Sequence, residues 1–160
     1  MDVYHQKHIA HRDIKPENIL VDMSSPNRAT KIIDFGFAAQ SKAKMCVFCG
    51  TPAYMSPEIC NKQKYDGTAA DIWASGILLF TMLFGYLPFK ASSENELFRK
   101  IGKGAFKMPT IGDDGRFTSF PSIDNAALIK DLLEDILKAD EKERITAMDL
   151  QIKYKSIFNS

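Results

Sequence analysis

Apolar positions change period several times along the chain, and the changes divide it into elements. Residues 1–7 read as the last turns of a helix, and Ile9-Ala10 as a short strand entering a loop. Ile19-Leu20-Val21 and Lys31-Ile32-Ile33 are short runs separated by the turn cluster Ser24-Ser25-Pro26-Asn27. They predict two paired strands with a hairpin-like connection. From Gly36 to Pro57 neither the helical nor the strand period is sustained, so a long functional loop is expected there. Residues 72–89 then form a run of eighteen without a charge. Its length would admit a transmembrane helix. Ser75, Gly76, Thr81, Gly85 and Pro88 interrupt the run, however, and its apolar helical part ends near Phe84. The pattern predicts a central helix over about 69–84, buried in a soluble domain, with Thr68 marking its N-terminus. Residues 94–101 predict an amphipathic helix and residues 112–115 a turn. Residues 125–137 predict a helix with Leu128, Ile129, Leu132, Leu133, Ile136 and Leu137 on one face, and residues 146–158 a fourth.

Gly102-Lys103-Gly104-Ala105-Phe106 resembles the start of a nucleotide-binding glycine loop, but its context is wrong. Lys107 stands where the third glycine belongs, and the segment follows a helix instead of leaving a strand. A helix C-terminus ending on glycine is expected instead.

Composition narrows the class. With 160 residues, 45% hydrophobic and 26% charged, the chain fits one globular domain able to bury a core. A net charge of +1 gives no basic footprint for nucleic acid. No basic stretch followed by an apolar one opens the chain, so secretion is not expected. Cys46, Cys49 and Cys60 are too few for a disulfide framework. Cys46 and Cys49 form a C-x2-C pair, but zinc needs two more ligands, and His5, His8 and His11 all lie on the N-terminal side. A redox-sensitive pair has no further support either.

The densest chemistry lies in His11-Arg12-Asp13-Ile14-Lys15-Pro16-Glu17-Asn18-Ile19-Leu20, followed by Asp34-Phe35-Gly36. One short loop there carries a candidate general base, a phosphate-contacting cation and a metal-ligating amide, and a second acidic group follows. Phosphoryl transfer asks for these parts: metals held, phosphates positioned and an attacking hydroxyl aimed. Asp13 would accept or orient the hydroxyl proton. Lys15 would neutralise charge on the moving phosphoryl group. Asn18 and Asp34 are oxygen donors suited to a hard cation.

Order and spacing of these residues resemble the catalytic loop (11–20) and magnesium-binding segment of eukaryotic protein kinases. Gly50-Thr51-Pro52-Ala53-Tyr54-Met55-Ser56-Pro57-Glu58 is similar to the end of the kinase activation segment (34–58), with Ser56 in place of the usual Ala. Lys15 together with Thr51 is the Ser/Thr pattern. Residues 67–73 and 85–89 look like the calcium/calmodulin-dependent and AMP-activated group. The resemblance implies a mainly α fold with a small β-hairpin, a kinase-like C-terminal lobe. Catalysis would fall to Asp13, Lys15 and Thr51, metal binding to Asn18 and Asp34, and ATP contact also to Leu20. The cofactors implied are ATP and Mg2+ or Mn2+. His11, Arg12, Phe35, Glu58, Asp71 and Arg144 would support the site, Glu58 pairing with Arg144 and Asp71 accepting backbone N–H bonds near His11 and Arg12. Phe48, Pro52 and Met55 would line an apolar substrate pocket, while Glu17 would favour an upstream Arg. That preference is expected to be mild, because Ala53 and Thr81 stand where strongly basophilic relatives carry Glu. The partners implied are protein substrates, with neither nucleic acid nor membrane, and an N-lobe-bearing segment or regulatory subunit. The compartment implied is the cytoplasm, with the nucleus as a second.

The chain departs from the family pattern in three further places. Val47 occupies the usual phosphothreonine position, which leaves Arg12 with no obvious partner, and Ser41 is the only hydroxyl residue between Gly36 and Thr51. Residues 112–123 form a longer stretch than the subgroup leads one to expect. Nothing before His11 supplies a glycine-rich loop, a strand lysine, its Glu partner or a hinge. A C-terminal lobe without its N-terminal lobe is therefore expected: a fragment of a kinase or a docking module. Alone it should bind ATP poorly, show little catalysis and be marginally stable.

Overall fold

The computed structural model describes residues 1–24, 28–119 and 125–155. Among these, helices dominate: α1 (Asp2–His5), α2 (Pro57–Cys60), α3 (Gly67–Phe84), α4 (Glu94–Gly102), α5 (Ala126–Ile136) and α6 (Ala147–Lys153). The strands are β1 (Ile9–Ala10), β2 (Ile19–Val21), β3 (Thr30–Ile32) and β4 (Ala39–Gln40). β2 and β3 pair antiparallel, with Leu20 opposite Lys31. The turn expected between them lies at 25–27, outside the described residues. β1 pairs antiparallel with β4, and Ser41 N–H extends that ladder to His8 O. The stretch 36–57 is thus not without structure, as had been expected. β4, the helical turn Pro52–Tyr54 and the start of α2 lie within it. Each is too short to establish a period, and β4 depends on a partner thirty residues back in the chain.

α3 is the axis of the core. Trp73, Ile77, Phe80 and Phe84 on it are buried against Leu132, Leu133, Ile136 and Leu137 of the α5 region, Ile101 of α4, and Phe89 and Tyr154. A fully buried side chain of this size contributes about 1.5–3 kcal/mol. Gly76 lets α3 and α5 approach, since a Cβ there would sit 2.3 Å from Ile136 Cγ2. By length and composition α3 could cross a membrane. In this structure 56% of it is buried inside the protein, with Trp73, Ile77 and Phe80 fully covered, while Met82 is exposed.

α3 begins earlier than the expected residue 69, and Thr68 is not its cap. The Asp66 carboxylate takes that place, accepting Thr68 N–H at 2.8 Å and Ala69 N–H at 3.4 Å, while Thr68 Oγ donates to the same oxygen. An N-cap must precede the first turn, and Thr68 lies inside it. α4 starts on Ser93, whose hydroxyl accepts Glu96 N–H, and ends near Gly104, whose N–H donates to Ile101 O. The glycine pair is therefore a helix end, as its context had suggested. Residues 112–115 turn the chain so that Ile111 bridges Phe117, and Phe117 is buried edge-on against Phe84 at 5.1 Å. That return to the core accounts for the first half of the long 112–123 stretch; 120–123 lie outside the described residues. α6 is capped by Thr146. The far end of the helix expected over 146–158 also lies outside the described residues.

Candidate active site

The loop after β1 is held from beneath by one carboxylate. Asp71, in the first turns of α3 and 1% exposed, accepts His11 N–H and Arg12 N–H at 2.7 Å each, and His5 Nε2 lies 3.1 Å away. These bonds fix Arg12 at φ 68°, a left-handed conformation that a non-glycine residue adopts at a cost of about 1–3 kcal/mol. Gly50, at φ 110°, passes so close that a Cβ would lie 2.7 Å from Arg12 O, so a side chain there would push the two segments apart. His11 is buried. Its Nε2 bonds Ile33 O at 2.9 Å, its Nδ1 faces Asp13 N–H at 3.3 Å, and its ring meets Phe35 edge-on at 4.9 Å.

Asp13 is the centre of the site. Its Oδ1 accepts Thr51 Oγ–H at 2.8 Å and Thr51 N–H at 3.1 Å. Its Oδ2 faces Lys15 Nζ at 2.8 Å and Asn18 Nδ2 at 3.2 Å. Lys15 also reaches Thr51 Oγ at 3.0 Å. Burial pushes the Asp13 carboxyl upward, but the hydrogen bonds from Lys15 and Thr51 outweigh it and hold the group below the ordinary carboxylate value. The bond to Asp13 raises Lys15, with the charges of Glu17 and Asp34 adding to it. At neutral pH Asp13 is a carboxylate that already accepts one hydroxyl, beside a cation that stays charged.

Asn18 donates through Nδ2 to Asp13 O at 2.8 Å as well as to Oδ2. Its backbone carbonyl accepts Ile33 N–H at 2.9 Å, whereas its side-chain Oδ1 has no hydrogen-bond partner among the described residues. Asp34, exposed and at φ 61°, engages among the described residues only Gly36 N–H, at 3.2 Å through Oδ1. Two hard oxygen donors are thus left open, and among the described residues no group of three His, Cys, Asp or Glu side chains gathers around a metal-sized space. Such a set suits Mg2+, which keeps waters and phosphate oxygens as its other ligands.

The remaining residues are placed as follows. Glu58 and Arg144 meet in the interior by two parallel bonds of 2.9 and 3.0 Å, and Arg144 further donates to Ala69 O and Lys138 O. Arg12 is not left unpartnered, contrary to expectation. Its Nε donates to Phe37 O at 2.6 Å, and its guanidinium lies by Tyr65, where it opposes the upward push of burial on that phenol. Phe35 is 41% exposed, and so is Leu20 at 53%. Met55 packs on Ile59, Tyr65 and Ala70, whereas Phe48 stacks on Tyr65 at 6.3 Å and stays largely open. Pro52 opens the helical turn before Met55, and Glu17 is exposed. Tyr65 and His5 were missed in the sequence. Tyr65 donates to Val47 O at 2.8 Å and so seats the segment from 47 to 49. Only their three-dimensional neighbours reveal these two roles.

The sequence profile of the protein kinase domain matches residues 1–154. The chain belongs to that family. Among curated kinases, CBL-interacting serine/threonine-protein kinase 10 of Arabidopsis thaliana is 48% identical over 115 residues, 69% of this chain and 23% of that protein. CBL-interacting protein kinase 26 of Oryza sativa subsp. japonica is 40% identical over 151 residues, 91% and 27% respectively. These relatives agree with a Ser/Thr kinase of the calcium/calmodulin-dependent and AMP-activated group. The chain spans about a quarter of the length of the kinases it matches.

Proposed function

We propose that the chain is the C-terminal lobe of a Ser/Thr protein kinase and carries the half of its site that aims the acceptor hydroxyl. The observation that carries this reading is the Asp13 carboxylate, ionised and 2.8 Å from a hydroxyl, with Lys15 within 3.0 Å of both. A substrate Ser or Thr hydroxyl presented to Asp13 gives up its proton there as its oxygen attacks the γ-phosphoryl group of ATP. Lys15 offsets the charge that develops on the transferring group. Thr51 holds Asp13 and Lys15 in register. Asn18 and Asp34 would hold Mg2+, which when bound neutralises charge on the phosphates. Leu20, on the exposed apolar face of β2, would lie against the ATP base. Glu17, Phe48, Pro52 and Met55 would meet the protein substrate on either side of the acceptor. The substrates are proteins and the setting is the cytoplasm or nucleus, without nucleic acid or membrane. The exposed apolar side chains of Leu20, Ile33, Phe35 and Phe37 around the loop suit a cover supplied by an N-lobe-bearing segment.

The test is a chimera. Residues 1–154 replace the matching segment of rice CBL-interacting protein kinase 26, and transfer of γ-phosphate to a Ser/Thr peptide is measured. Transfer should persist in the chimera and fall by about 10²–10⁴ in its Asp13→Asn variant. A folded chimera without transfer, or one indifferent to Asp13→Asn, would refute the reading.

A further inference from the structure

Ser56 puts a hydroxyl where the kinase pattern usually carries the methyl group of Ala. The residue is 0% exposed, and its Oγ has no hydrogen-bond partner among the described residues. Ser56 stands at the N-cap of α2, where a serine oxygen commonly accepts a backbone N–H, but its side chain does not cap the helix. Folding thus takes this hydroxyl out of water without giving it a protein partner, which is destabilising unless another group meets it. A cavity of about 20 Å³ adjoins it, lined by Ser56 together with Arg12, Asp13, Gly50, Thr51 and Asp71 among others. One water takes up about 10–15 Å³ of such space and needs about two to four polar partners. The cavity therefore has room for one water and for nothing larger. Asp71, on the same lining, has capacity to spare. Its Oδ1 accepts one bond among the described residues, from Arg12 N–H at 2.7 Å, and a carboxylate oxygen carries more than one acceptor position.

We propose that this cavity is a binding site for a single structural water, held between Ser56 Oγ and the Asp71 carboxylate. The water gives the Ser56 hydroxyl the partner that the protein does not supply, and it donates a hydrogen to Asp71 Oδ1. A bond to an ionised acceptor in a buried setting is a strong one, so the water is held firmly. The bridge ties the start of α2 to the carboxylate that accepts His11 N–H and Arg12 N–H. The end of the 50–58 segment and the 11–18 loop are thereby fastened to the same point of α3, in addition to the direct bonds from Thr51 to Asp13. An alanine at position 56 has no polar atom to hold the water, so the site belongs to this chain's serine and not to the general kinase pattern. The proposal does not depend on the reading of Asp13 as a base.

The experiment compares the full chain with its Ser56→Ala variant, by urea unfolding and by crystal structures fine enough to show ordered water. The variant carries the residue usual for the family and removes no bond made within the protein, so it should fold. The chain should show one water within hydrogen-bond distance of Ser56 Oγ and Asp71 Oδ1, and the variant should show none there. The urea midpoint should fall in Ser56→Ala, because a satisfied hydroxyl and its bridge are lost together. A midpoint that rises overturns the proposal, since it means that the hydroxyl was buried unmet and that Ala removes the penalty. An unchanged midpoint also counts against it, because the bridge then holds nothing. In the crystals, a Ser56 hydroxyl bonded to a protein atom instead of water overturns the assignment. So does a water that stays on Asp71 in Ser56→Ala, for Ser56 is then not what holds it.

Discussion

Two faces of one loop differ sharply in how far the chain completes them. On the face toward 48–58, the charged side chains have partners: Asp13 with Lys15 and Thr51, Asp71 with two backbone N–H groups, Glu58 with Arg144. On the face toward β2 and β3, Asp34 engages one backbone N–H among the described residues, the side-chain Oδ1 of Asn18 has no partner among them, and Leu20, Val21, Phe35 and Phe37 are exposed. If the loop serves phosphoryl transfer as proposed, the contrast teaches which part of such a site is built by local preorganisation. Aiming a hydroxyl takes short bonds that one lobe can make within itself. Enclosing a nucleotide takes two opposed walls, and on the reading proposed above the described residues would supply one of them.

The largest break in this contrast comes from the buried pair. Arg144→Ala leaves the Glu58 carboxylate in the interior without its cation and should cost about 3–5 kcal/mol in urea unfolding. A loss below about 1 kcal/mol would mean that the segment is not anchored there. Next is Asp71→Ala, which orphans His11 N–H and Arg12 N–H and should cost about 1–3 kcal/mol. Hydrogen exchange at those two amides should quicken, with amides in α5 unchanged; uniform quickening would point to general loosening instead.

Acid should act on the completed face as well as on carboxylates elsewhere in the fold. Asp13 has a folded pKa below its unfolded value of 3.8, so its contribution to stability is present above that value and is lost as pH falls through the lower folded one. Asp135 behaves alike: burial pushes it up, but Lys153 and Tyr154 hold it down more strongly. Thermal midpoints measured from pH 6 to pH 3 should therefore fall, and less steeply for Asp13→Asn. An identical slope would show that Asp13 is not held as described. The smallest effect belongs to the open face, where Leu20→Ala should change stability by about 0.5 kcal/mol or less. In the chimera the same change should raise KM for ATP, and an unchanged KM would remove Leu20 from the nucleotide wall.

The contrast also separates what the sequence could reveal from what it could not. β2 and β3 were legible because apolar runs flank a turn cluster, and α5 because Leu132, Leu133 and Ile136 recur at helical spacing. The 11–20 loop was legible because its chemistry is crowded into consecutive residues. β4 was not, since a two-residue strand exists only through its pairing with β1. Asp66 was passed over for Thr68 because either residue can cap a helix, and the choice is made by where the first turn begins. The partner of Arg12 was missed because Phe37 O is a backbone group, and backbone groups carry no residue signature. Side-chain chemistry is written locally here, whereas the bonds that hold it in place are tertiary.

One titration bears on the contrast most directly. Mg·ATP is added calorimetrically to the 160-residue chain and, in parallel, to the chimera. The chimera should bind, and the chain alone should fail to saturate at about 1 mM, a binding free energy weaker than roughly −4 kcal/mol. If the chain alone binds Mg·ATP as tightly as the chimera, the face toward β2 and β3 is complete in itself, and the division of the site described here is wrong.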